Sequence, residues 1–87
     1  MTESKLGEVA KARTKELVAR IRRAMVLIES EIEENQGIYP LNKGRVTQAE
    51  VCRRAGTSPA ILQGPTHKGS TLREVKAWLV EIDRKVA

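Results

Sequence analysis

Eighty-seven residues with a net charge of +5 allow one small domain, too little buried apolar surface for a core and an elaborate active-site pocket together. Tyr39 and Trp78 are the only aromatics, so single-strand binding by base stacking has almost no material, and one cysteine with one histidine excludes a disulfide framework or a Cys/His zinc site. No apolar run is long enough to span a bilayer and the start is polar from Thr2 to Lys5, so a cytoplasmic protein is expected.

The first predicted element is a long helix from about Leu6 to Asn35, without proline and with Gly7 as its only internal glycine. Leu17, Val18, Ile21, Ala24, Met25, Ile28 and Ile32 recur at spacings of 3, 4 and 7 and make an apolar stripe. Thirty helical residues reach roughly 45 Å, more than the width of so small a domain. The spacing therefore predicts a homodimer in which Leu17, Val18, Ile21, Met25 and Ile28 meet a second copy; the alternative is that Ile21 to Ile32 pack on the rest of the chain. Basic residues from Lys11 to Arg23 crowd the first half and Glu29, Glu31, Glu33 and Glu34 the end. Antiparallel pairing is favoured, because parallel pairing stacks like charges; alternatively, the basic cluster adds a second DNA-contacting surface. The four glutamates are scattered around the helix and are expected to be solvated.

Residues 36–45 are rich in turn formers: Gly37 suits a helix C-cap, Pro40 bars continuation and Asn42-Lys43-Gly44 suits a tight turn. Ile38, Tyr39 and Leu41 should hold this loop down on the core, in a short extended ribbon as one possibility. Two short helices joined by a glycine turn are predicted next. Thr47 and Glu50 have capping-box spacing. Val51, Cys52 and Ala55 make a packing side, and Arg53 and Arg54 point away from it. Gly56 supplies a positive-φ turn, Ser58-Pro59 restarts a helix, and Ile61 and Leu62 give that helix an apolar side.

The run Val51 to Ser58, continued to Leu62, resembles the helix-turn-helix of lac-repressor-type and related bacterial regulators and of transposon accessory proteins. Cys52 matches the small packed position, Gly56 the turn, Ser58 the start of the recognition helix and Leu62 the closing apolar residue. Thr57 departs from the family's apolar residue, and Gly64-Pro65 stops the second helix where the family continues it. The resemblance covers roughly a fifth of the chain. It implies duplex-DNA binding, in transcriptional regulation or beside a mobile-element recombinase, which would be a possible protein partner.

Residues 1–35 carry seven Lys/Arg and seven Asp/Glu, and residues 36–87 nine against four, so the net charge lies in the half that holds the motif. Lys43, Arg45, Gln48, Arg53, Arg54, His67 and Lys68 are thus candidate DNA contacts, mainly to phosphates, with Ser58 on a phosphate and Pro59, Ala60 and Gln63 nearest base edges. Only Gln63 offers a bidentate base contact, so direct readout should be poor. His67 is otherwise an ordinary loop histidine. Residues 64–70 form a second loop, and Thr71 with Glu74 makes another capping box. A last helix over 71–86 places Leu72, Val75, Leu79, Ile82 and Val86 on a core-facing seam, with Trp78 beside it.

No nucleophile stands near a base, and neither a phosphate-binding glycine loop nor a carboxylate cluster is present. The expectation is an all-α, non-enzymatic protein without cofactor or metal, divided into a helical arm (1–35) and a helix-turn-helix domain (36–87; motif 47–63). It binds double-stranded DNA, largely through backbone phosphates, as a homodimer. The competing reading is a protein–protein assembly factor that uses the long helix and keeps the motif as a scaffold.

Overall fold

The computed structural model describes the backbone of residues 2–86 and the side chains of residues 12–86, so Lys11 of the predicted basic cluster falls outside the described side chains. The protein is all-α. Three helices, α1 (Thr2–Glu34), α2 (Gln48–Ala55) and α3 (Thr71–Lys85), alternate with a tight turn at Asn42–Gly44 and a 3₁₀ segment at Pro59–Gln63. There is no strand among the described residues, so the loop before α2 does not form the ribbon considered above. The molecule extends 53 × 20 × 17 Å, its length set by α1.

One core serves the whole chain. Ile21, Ala24, Met25, Ile28 and Ile32 of α1 pack with Tyr39, with Val51, Cys52 and Ala55 of α2, with Leu62, and with Leu72, Val75 and Ile82 of α3. This corrects the predicted dimer face. Ile21 and Ile28 are 0 % exposed and Met25 is 6 % exposed within a single chain, while Leu17 and Val18 are half-buried. The shorter elements have no other large apolar surface to close against, so the stripe covers them rather than a second copy. A boundary at residue 35 marks the end of a helix, not a division between cores.

The end of α1 is reached one residue earlier than Gly37 suggests. Gln36 takes the left-handed conformation at φ 59°, and the Gly37 N–H donates to the Ile32 carbonyl at 2.8 Å, which closes the last turn. Tyr39 then drops into the core at 1 % exposure, whereas Ile38 and Leu41 stay largely exposed. Only one of the three apolar loop residues therefore anchors it.

The second predicted capping box does not form. Thr71 already belongs to α3 and its hydroxyl pairs with His67 Nδ1 at 2.9 Å. Glu74 instead receives two hydrogen bonds from Arg22, at 2.9 and 3.0 Å, which ties α3 to α1. The seam on α3 is as predicted, and Trp78 beside it donates from Nε1 to Glu29 Oε1.

Candidate nucleic-acid interface

Thr47 starts α2 by accepting the Glu50 N–H on its Oγ1 at 3.2 Å. The reciprocal half of the box is missing, because Glu50 is buried and turned toward Tyr39 and Arg53. At the other end, Gly56 sits at φ 75°, its N–H donates to the Arg53 carbonyl at 3.1 Å and the Thr57 N–H to the Cys52 carbonyl at 2.9 Å. This pair of bonds is a Schellman motif. Arg20 of α1 adds a tertiary cap: Nε donates to the Ala55 carbonyl at 2.9 Å and Nη2 to the Gly56 carbonyl at 2.8 Å. A cation at a helix C-terminus is favourable, and here it pins the turn to α1.

Gly56 is consequently doubly constrained. A Cβ built there would lie 2.7 Å from Arg20 Nη2, in a backbone conformation that costs an L-residue about 1–2 kcal/mol. Gly56→Ala is expected to lower thermal stability by about that amount and to displace the Arg20 cap. An unchanged melting temperature would show that the turn is not held as described.

The second limb is shorter than a recognition helix. Ser58 Oγ accepts the Ala60 N–H at 3.3 Å, and Pro59 to Gln63 make five residues of 3₁₀ helix rather than α-helix. Gly64 follows in an extended conformation. Leu62 is fully buried beneath the limb, while Ile61 stays 38 % exposed; the predicted apolar side is thus one residue wide. Ser58, Pro59, Ala60 and Gln63 are exposed, and Gln48 is half-buried at the start of α2.

The predicted cations part into two groups. Lys43, Arg45 and Lys68 are exposed and form no ion pair with a described residue. Arg53 keeps the outward position expected of it, with its side chain 59 % exposed, and only Arg54 is drawn inward, but both are paired in a network. Arg53 donates twice to Glu50, at 2.6 and 2.7 Å. Arg54, with its side chain only 16 % exposed, forks onto Glu31 of α1 and donates to Tyr39 Oη at 2.9 Å. Tyr39 in turn donates to Glu50 at 2.5 Å.

Electrostatics follow this wiring. Hydrogen bonds from Arg53 hold the Glu50 carboxyl below the usual range, and those from Arg54 do the same for Glu31. Burial, then the hydrogen bond to Glu50, pushes the Tyr39 phenol up. The network was illegible in sequence because Arg54 and Glu31 are 23 residues apart. It also corrects the expectation of solvated glutamates: Glu31 serves Arg54, and Glu29 serves Trp78 and lies 3.8 Å from Lys85. Glu33 and Glu34 are exposed.

His67 is also displaced from its candidate role. It is 5 % exposed and its Nδ1 is bonded to Thr71, so it packs under the limb rather than standing out as a loop histidine. Cys52 is fully buried, and burial pushes its thiol up, which makes it a packing residue rather than a nucleophile. Among the described residues no group of three or more His, Cys, Asp or Glu is placed to hold a metal, and no helix is long and apolar enough to cross a membrane.

A groove of about 270 Å³ runs between the first half of α1 and the 3₁₀ limb, lined by Arg13, Thr14, Leu17, Ile61, Gly64, Thr66 and His67. Among the described residues that line it there is one arginine and no carboxylate. Arg13 therefore joins the surface around Ser58 to Lys68, although it lies 45 residues upstream of Ser58 by number. The basic first half of α1 was the only sequence signal for it. Comparison with known protein families, with curated proteins and with solved structures finds no match.

Proposed function

We propose that the chain binds double-stranded DNA, chiefly through backbone phosphates, at the surface formed by the 3₁₀ limb and the flanking basic half of α1. The groove lined by Arg13, beside the exposed Ser58, Pro59, Ala60 and Gln63, carries this reading. Lys68 adds exposed positive charge in the loop after the limb, whereas Arg45 lies beside Ile82, Asp83 and Val86 at the end of α3; phosphate contacts of this kind need no base-specific geometry. Pro59 and Ala60 offer no side-chain hydrogen bond, so Gln63 is the one bidentate base reader on the limb itself, and sequence preference comes mainly from DNA shape. In this reading the protein is a cytoplasmic regulator or an accessory factor beside a mobile-element recombinase.

A salt series of anisotropy titrations with random-sequence duplex tests it. Binding should weaken steeply with salt, and Arg13→Ala with Lys68→Ala should reduce the slope of log K against log salt by about 1.8, two contacts at about 0.9 each. Absence of binding at low salt would reject the reading. It would favour the second one, an assembly factor that keeps the motif as a scaffold, which gains support from the internal pairing of Arg53 and Arg54.

A further inference from the structure

We infer that α1 forms the seam of an antiparallel homodimer, through the face turned away from the core rather than through the apolar stripe. Two contact sets define that face. Arg20 and Glu31 reach the α2 side, and Arg22 and Glu29 reach the α3 side. Between them, on the outside, Val26 is 64 % and Leu27 is 52 % exposed, and with the stems of Arg22 and Arg23 they line a shallow hollow. Ala19, two turns before Val26, and Ser30, one turn after it, lie on the same face and are exposed and small, which lets a second helix come close.

Charge selects the occupant and its direction. Arg23 lies N-terminal to the apolar centre and Glu33 and Glu34 lie C-terminal to it; all three are exposed and form no ion pair with a described residue. An antiparallel copy centred between Val26 and Leu27 sets Arg23 opposite Ser30. Helical side chains lean toward their own N-terminus, so the guanidinium is carried toward Glu34 of the second copy. Symmetry makes the pair twice. A parallel copy would set Arg23 against Arg23 and Glu34 against Glu34.

The two-fold axis is perpendicular to α1, and because the seam is the face away from the core, the two cores flank the helix pair on opposite sides. The grooves beside Arg13 to Leu17 lie about 11 residues from that axis, so the two copies stand about 35 Å apart along α1 at ~1.5 Å per residue. The dimer does not rest on the DNA reading.

Sedimentation equilibrium of the full chain, without DNA, tests the dimer alone. Wild type should be dimeric at about 100 µM. Val26→Glu with Leu27→Glu should be monomeric with an unchanged circular dichroism spectrum, since both side chains are exposed. Arg23→Glu should weaken the dimer about tenfold and Arg23→Glu with Glu34→Arg should restore it, because two exposed pairs are reversed and then re-formed. A wild-type monomer at that concentration overturns the dimer, and a double variant no tighter than Arg23→Glu overturns the antiparallel seam. DNA binding by a monomeric wild type would reject the dimer while leaving the DNA reading intact.

Discussion

Ile28→Ala is expected to lower the free energy of unfolding by about 3 kcal/mol, whereas Leu27→Ala, one residue earlier, should change it by less than about 0.5 kcal/mol. The contrast follows from burial: Ile28 is 0 % exposed in the centre of the core and Leu27 is 52 % exposed on the far side of the same helix. Removing three buried carbons costs their transfer free energy and leaves a cavity between α1, α2 and α3 that the short elements cannot close. For a domain of this size, with total stability of about 4–13 kcal/mol by the usual per-residue value, such a loss is a large fraction. Urea denaturation at low protein concentration measures both variants without interference from self-association. Equal effects would mean that α1 is oriented differently about its axis, and the outer seam would fall with that result.

Glu50→Gln is expected to cost about 2 kcal/mol at pH 7, the range for hydrogen bonds made by a charged group. Its carboxylate accepts from Tyr39 and twice from Arg53 while the side chain is only 2 % exposed. The pH dependence is a sharper observable. The carboxyl is held below its ordinary value of 4.5 in the folded state, first by the hydrogen bonds from Arg53. A depressed folded pKa means that the unfolded chain binds the proton more readily. The stabilisation is therefore fully present above pH 4.5 and is lost as pH falls through the folded pKa. Glu31, lowered chiefly by Arg54, adds to the same acid limb. The gap between wild type and Glu50→Gln should accordingly narrow as pH drops below 4.5. A gap that stays constant from pH 7 to pH 3 would show that the Glu50 charge contributes nothing to folding.

Both expectations come from places where local pattern and tertiary wiring diverge. The stripe from Leu17 to Ile32 was legible because 3.6-residue periodicity is a property of one helix. What it packs against was not, since burial by a second copy and burial by the same chain leave the same pattern. Thr47 and Gly56 were likewise legible as start and stop signals, and Gly64-Pro65 as an early end, because caps act over three or four residues. The Thr71–Glu74 box failed although its spacing is correct, because Arg22 and His67 offered both side chains partners that no local rule contains.

The candidate surface divides along the same line. Lys43, Arg45, Ser58, Ala60, Gln63 and Lys68 are exposed where composition placed them, but Arg54 and His67 are withdrawn by residues on other elements. Arg13 and Arg20 entered the site only when α1 was laid beside the turn.

The sequence by itself determined the helices, the glycine turn and the shortness of the second limb, all of which rest on backbone preferences acting within a few residues. Only the tertiary structure decided which face of α1 is core, which arginines remain free and that Arg13 stands beside the motif. Those outcomes depend on competition among side chains 23 to 52 residues apart, where a carboxylate or carbonyl in reach takes the cation that periodicity alone would leave facing water.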